Sequence, residues 1–181
     1  MRSTILIASA FLLAVAPDPT GDPTFQHPLL KEHGPIVALP DAAEPPRKDS
    51  QVLLDLTSDE LQGDVLKGLD RAAVIVNLYA QQRVGLANGM KMAVVIHGPA
   101  TRAVLKDDAY ARHAGDVVKI KNPNRNLIKQ LREAGVEIYV CGQALARQKY
   151  RTDEVLSEVV IAVSAATAHV NKQMDGYVLV P

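Results

Sequence analysis

Short apolar runs alternate with helical patterns along the chain, and this alternation restricts the fold more than any other feature. Runs with the length of buried strands cover residues 51–56, 92–97, 136–141 and 159–163, and a shorter run covers 176–180. Helical patterns cover residues 61–82, 122–135, 144–149 and 164–172, and a broken helix covers 101–113. Because strands that alternate with helices form parallel sheets, the sequence predicts an α/β fold: a mainly parallel sheet with helices on both faces.

Length and charge restrict the class of protein. The chain has 181 residues, enough for one domain with a real core. Its 20 Lys and Arg residues balance its 20 Asp and Glu residues, and it has no Trp. This balance provides no general attraction to nucleic acid or to an anionic membrane, and the lack of Trp makes a base-stacking platform a poor fit. We therefore expect neither nucleic acid nor a membrane surface as a partner.

The first 50 residues divide into two segments. Residues 1–16 have a basic start, an apolar run and an Ala-Val-Ala end, which predicts a secretory signal peptide and a periplasmic or secreted protein. Pro17 would follow the cleavage point and hinder the peptidase, so an uncleaved N-terminal anchor and a wrongly assigned start codon are the alternatives. Residues 17–50 hold eight of the eleven prolines and predict an extended arm that packs on the sheet or on a neighbouring subunit. The α/β domain is expected over residues 51–181.

Cys141 is the single cysteine of the chain. It follows an apolar strand and precedes a helix, which predicts a thiol at the carboxyl edge of the sheet, where ligands bind in open α/β folds. A helix N-terminus stabilises the nucleophilic thiolate, so Cys141 is the first candidate for a catalytic residue. The alternative is a buried cysteine that fills the core as a small hydrophobe.

A second strand ends in a polar residue beside the predicted thiol. His97 closes the run 92–97 and is followed by Gly98, as Cys141 is followed by Gly142. If the two strands are parallel, His97 and Cys141 emerge at one edge, and the two glycines let a ligand approach the backbone. Gln143 is a further candidate for binding an anion there. The competing interpretation of His97 is a capping or core histidine bonded to backbone.

The sequence predicts no metal site and no bound cofactor. The five histidines have no short paired spacing, and a second cysteine that could complete a thiolate set is missing. Glycine-rich nucleotide motifs and a nucleophile-elbow motif are also missing.

Several segments together resemble the DsrE/DsrF-like proteins. The resemblance covers residues 51–181 and is carried by Val-Val-Ile-His-Gly-Pro-Ala-Thr at 94–101, Asn-Pro-Asn at 122–124, Gly-Val-Glu-Ile-Tyr-Val-Cys-Gly-Gln-Ala at 135–144, Val-Ser-Ala-Ala-Thr-Ala at 163–168 and Gly-Tyr at 176–177. It implies a flavodoxin-like fold of three layers that assembles as a trimer or hexamer. In the sulfur-relay members, the cysteine that corresponds to Cys141 carries sulfur as a persulfide. Asn77 also matches family sequences and is expected to face the same pocket.

Two functions follow from these observations. The first is a sulfur carrier or sulfurtransferase-like protein that holds sulfane sulfur on Cys141 and exchanges it with a donor or acceptor protein. The second is a non-catalytic module that binds a small ligand or a partner segment and keeps Cys141 buried. A redox enzyme ranks last, because its resolving cysteine would have to come from another chain.

Overall fold

A five-stranded parallel sheet forms the centre of the molecule. The structure is a computed structural model that describes residues 23–114 and 121–180. The predicted signal peptide, residues 1–16, lies outside the described residues. The elements in chain order are β1 (Phe25–Gln26), β2 (Ile36–Val37), β3 (Gln51–Leu56), β4 (Leu61–Gln62), β5 (Val65–Leu66), α1 (Lys67–Gln81), β6 (Lys91–Ile96), α2 (Asp107–Ala114), α3 (Arg125–Ala134), β7 (Glu137–Cys141), α4 (Gly142–Arg147), β8 (Val160–Ala162), α5 (Ala165–Met174) and β9 (Val178–Val180). Within these two ranges, 3-10 helices cover Leu86–Asn88, Gly98–Val104 and Thr152–Glu154.

The strand order places β7, β6 and β3 side by side. The order is β8-β7-β6-β3-β9, and every neighbouring pair is parallel. Leu56 pairs with Ile96, and Ile96 pairs with Val140, so β3, β6 and β7 end at the same edge. The predicted parallel α/β sheet is confirmed.

Each face of the sheet has its own hydrophobic core, as expected for a sheet with helices packed on both faces. The larger core packs α1 and α3 against alternate residues of β3, β6 and β7, including Leu54, Val94 and Ile138. The smaller core packs α4 and α5 against the other residues of the same strands, including Leu53 and Val95. The smaller core uses mostly alanines from the helices, which brings α5 close to the sheet.

The helix predicted over residues 61–82 begins later than expected. Residues 61–66 form the short antiparallel hairpin of β4 and β5, and α1 starts at Lys67. Gly63 has a φ of 60° in this hairpin, a conformation that interrupts a right-handed helix. The apolar periodicity of α1 is otherwise as predicted, with Leu69, Ala73 and Val76 buried.

The described part of the arm packs on α1. β1 and β2 pair antiparallel, and Leu30 and Ile36 are buried. Leu30 belongs to the larger core of the α/β domain. The arm is therefore anchored on a helix rather than on the sheet. Among the described residues, no helix has both the length and the apolar character needed to cross a membrane.

Candidate functional site

Cys141 ends β7 and caps α4. Its backbone is extended, and its Sγ accepts a hydrogen bond from the Ala144 N–H at 3.4 Å. The residue is only 6 % exposed and belongs to the smaller core with Ala165 and Ala168. It also lies on the wall of an open pocket. Cys141 is therefore mostly covered by core residues, yet it lines a space that a small molecule can enter.

His97 lies at the end of the neighbouring strand and contacts two other ionisable side chains. Its Nε2 is 2.8 Å from Asp55 Oδ1, and Asp55 lies on β3 on the far side from Cys141. The Nε2 of His169, on α5, lies 3.4 Å from the same oxygen without a hydrogen bond to it, and the two imidazole rings are edge to face with centroids 6.1 Å apart. The sheet edge thus brings together Cys141, His97 and Asp55 from three adjacent strands, with His169 above them.

Asp55 and His169 were missed in the sequence, although both carry a signal. Asp55 alternates with Leu54 and Leu56 in an otherwise apolar strand, so its side chain must lie on the face opposite to theirs. His169 follows Ala165 by four residues, which places both on the inner face of α5. These two residues could be assigned to the site only with the strand order, because it is the strand order that makes β3 the neighbour of β6.

The pocket beside Cys141 has a volume of about 590 Å³. Its lining residues come from the segments that follow β3 and β6, from α2, from the end of β7, and from α4 and the residues after it. They are Asp59, His97, Gly98, Pro99, Arg102, His113, Cys141, Ala144, Arg147, Gln148 and Tyr150. Arg102, Arg147 and Asp59 are the charged residues of this lining, which also includes two histidines. The excess of positive charge favours an anionic ligand. A second pocket of about 600 Å³ lies between the arm and α1 and contains no thiol.

The glycines after the two strands have different structural roles. Gly98 has a φ of 56°, and its carbonyl accepts hydrogen bonds from the Thr101 hydroxyl and the Gln148 amide, both at 2.7 Å. Because a side chain disfavours that conformation, glycine shapes the pocket wall at this position. Gly142 does not line the pocket. A Cβ there would be 2.9 Å from the Ala162 carbonyl oxygen, so this glycine permits the close approach of α4 to β8.

Two other predicted binding residues also lie away from the pocket. Gln143 is exposed, and its Nε2 donates to the Val163 carbonyl at 3.3 Å. Asn77 is completely buried in α1, where its side chain is bonded to the backbone of the arm. The structure therefore does not bring Asn77 to the pocket of Cys141, and its role is to hold the arm.

A separate ionic cluster fixes α5 at the other end of the same face. Glu137 accepts hydrogen bonds from Tyr139 at 2.5 Å, from Tyr177 at 2.7 Å and from Lys172 at 2.7 Å. Burial alone would raise the pKa of the Glu137 carboxyl, but these bonds outweigh it and lower the pKa to about 2. Burial and the bond to Glu137 raise the pKa of Tyr177 to about 12. The cluster ties α5 to β7 through Lys172, on the same helix that carries His169.

Comparison with known proteins assigns the family. The model of the DsrE/DsrF-like family matches residues 73–181, which include β6, β7, α5, His97 and Cys141. The chain belongs to the DsrE/DsrF-like family. This confirms the resemblance found in the sequence, and the family is generally related to sulfur relay. The family match begins after Asp55, within α1.

A solved structure supports the DsrE-like fold. A protein of unknown function from Methanobacterium thermoautotrophicum is 19% identical to this chain, with a TM-score of 0.54, and the likeness covers 73% of this chain and 98% of that one. At this identity, the likeness supports the fold alone. No curated protein matches the chain. Among the described residues, His, Cys, Asp and Glu side chains form no group suited to hold a metal ion.

Proposed function

We propose that this protein is a sulfur carrier, in which Cys141 accepts sulfane sulfur from a small anionic donor and passes it to a thiol of a partner. One observation carries the proposal. The only thiol of the chain borders an open pocket whose lining includes Arg102, Arg147, His97 and His113. The family's general relation to sulfur relay supports the same chemistry.

The proposed loading step is balanced without any outside oxidant. The Cys141 thiolate attacks the terminal sulfur of a hydropolysulfide, a new S–S bond forms, and the S–S bond of the donor breaks. The electron pair leaves with the shortened sulfide. His97 holds the proton lost from the thiol and returns it to that leaving group. With hydrodisulfide as the donor, the products are a Cys141 persulfide and hydrosulfide.

The surroundings of Cys141 suit this step in two ways. The Ala144 N–H already donates to Sγ at 3.4 Å and stabilises negative charge on sulfur. Arg102 and Arg147 offer positive charge to the donor and to the sulfide that leaves. In the unloading step, an acceptor thiolate attacks the outer sulfur, and the Cys141 thiolate leaves.

The loading step is tested by intact-mass measurement after incubation with polysulfide. We expect wild type to gain the mass of one or more sulfur atoms and to lose it on reduction. Cys141→Ser should gain nothing. Arg147→Gln should load more slowly, since it removes one exposed charge from the pocket. A native wild-type protein that gains no sulfur would refute the carrier function.

The burial of Cys141 favours a second candidate, a non-catalytic module that binds a small ligand or a partner segment. At 6 % exposure, the residue resembles a core cysteine. Labelling with a thiol reagent separates the two candidates. A carrier reacts in the native state, whereas a structural cysteine reacts only after denaturation.

We further propose that the chain assembles as a trimer or hexamer and is exported to the periplasm or beyond. Assembly is supported by large apolar side chains that are exposed on or directly after the edge strands and on α5. They include Val163 at 76%, Met174 at 82% and Val178 at 66% exposure. Light scattering of the purified protein tests assembly, and cell fractionation of the full chain tests export.

A further inference from the structure

Three adjacent strands end in polar groups on one face of the sheet. Leu53, Val95 and Cys141 share the smaller core, so Asp55 and His97, two residues further along their strands, lie on that same face. The strand order β7-β6-β3 puts His97 between Cys141 and Asp55. A thiol, an imidazole and a carboxylate therefore follow one another along the edge.

The contact to Asp55 determines which nitrogen of His97 carries the proton. An ionised carboxylate only accepts hydrogen bonds, so the Nε2 atom that lies 2.8 Å from Asp55 Oδ1 is the one that bears hydrogen. In the neutral ring, Nδ1 is then left without a proton. A base needs such a free nitrogen, and the partner on the other nitrogen fixes the tautomer.

His169 places a second imidazole ring near Oδ1 of Asp55. Its Nε2 lies 3.4 Å from Asp55 Oδ1, is inaccessible to solvent and has no hydrogen-bond partner among the described residues. The carboxylate near this nitrogen already accepts a hydrogen bond from His97. The His169 ring also stands edge to face against the His97 ring. His169 thus confines both Asp55 and the His97 ring from the side of α5.

We infer that Asp55 is a positioning residue that holds His97 as the Nε2–H tautomer and leaves Nδ1 as the proton acceptor for the chemistry of Cys141, and that His169 limits the orientations of the His97 ring. Asp55 also stabilises the imidazolium that forms when His97 takes a proton. The use of His97 in sulfur loading rests on the proposed function, whereas the tautomer itself does not.

The tautomer is measured directly by ¹⁵N NMR of histidine-labelled protein, because protonated and bare ring nitrogens have different shifts. We expect wild-type His97 to be the Nε2–H form at a pH where the ring is neutral. Asp55→Asn should move His97 toward the Nδ1–H form, since the amide can turn its NH₂ group to the ring. His169→Gln should leave the Nε2–H form but broaden or shift its signals. Asp64→Asn, which removes an exposed carboxylate from the β4–β5 turn, should change nothing.

The second readout is the rate of persulfide formation under a range of polysulfide concentrations. Asp55→Asn should lower the maximal rate about tenfold or more and leave the half-saturating concentration unchanged, as expected for the loss of an oriented base. Asp55→Glu should recover part of the rate because it restores a carboxylate. Circular dichroism checks that each variant is folded.

The positioning role of Asp55 and the carrier function of the protein can be refuted separately. An Nδ1–H tautomer in wild type, or an Asp55→Asn variant with wild-type tautomer and rate, would overturn the inference. If wild type takes up no sulfur at all, the carrier function is refuted, while the tautomer measurement still decides the positioning role of Asp55. Even if the Asp55→Asn variant does not fold, an Nδ1–H ring in wild type would still overturn the inference.

Discussion

Replacing Asn77 with Ala tests how the arm is held. The Asn77 side chain is completely buried and makes five hydrogen bonds of 2.8–3.3 Å to the arm backbone. Its Oδ1 accepts from the Leu29 and Leu30 N–H groups, and its Nδ2 donates to the carbonyls of Leu30, His33 and Gly34. Each bond contributes about 0.5–1.5 kcal/mol net, and they are not additive, so we expect a loss of about 3–5 kcal/mol in the free energy of unfolding.

Urea denaturation measures this loss, and limited proteolysis reports on the arm. Asn171→Ala is the matched control, because Asn171 is an exposed asparagine inside α5 and gains the same helix propensity. The control should change stability by less than about 0.5 kcal/mol. Proteolysis of the Asn77 variant should begin within the arm. A loss below about 1 kcal/mol would show that these bonds do not anchor the arm.

Two further predictions concern acid stability and assembly. The pKa of Glu137 falls from 4.5 to about 2, so its contribution is complete above pH 4.5 and disappears as the pH falls to about 2. Full conversion of the shift gives about 3 kcal/mol, and screening at a carboxyl that is 36% exposed reduces this to about 1–2 kcal/mol. Glu137→Gln should therefore be less stable than wild type at pH 7 and equal to it near pH 2; an equal difference at both values would contradict the assignment. Replacing Val163 and Met174 with Ser should shift light scattering toward the monomer without loss of folding, and an unchanged mass would refute this face as the interface.

The sequence predicted the sheet because the local pattern was consistent. Every main strand was an apolar run with a helical pattern after it, and parallel pairing follows from that connection alone. The pairing of His97 with Cys141 at one edge followed for the same reason. The start of α1 was missed because Leu61, Val65 and Leu66 fit helical spacing as well as they fit a hairpin.

The rest of the site depends on contacts between residues far apart in sequence. Asn77 matched the family pattern, but only the packed structure shows that it is bonded to residues 43–48 positions earlier in the chain. Predicting that Asp55 and His169 belong to the site requires the strand order and the knowledge that α5 packs on the same face of the sheet as Cys141. The pocket beside Cys141 could not be predicted, because it forms only when the chain after α4 packs against the segment after β6, where the Gln148 amide donates to the Gly98 carbonyl.

The sulfur content of Cys141 tests the central claim most directly. Native wild-type protein is mixed with polysulfide, desalted and weighed intact, with Cys141→Ser in parallel. The account predicts sulfur added to wild type alone, removed by reductant and transferable to a small acceptor thiol. Wild type that keeps its unmodified mass in the native state, yet is modified once unfolded, would contradict the account and leave Cys141 as a core residue.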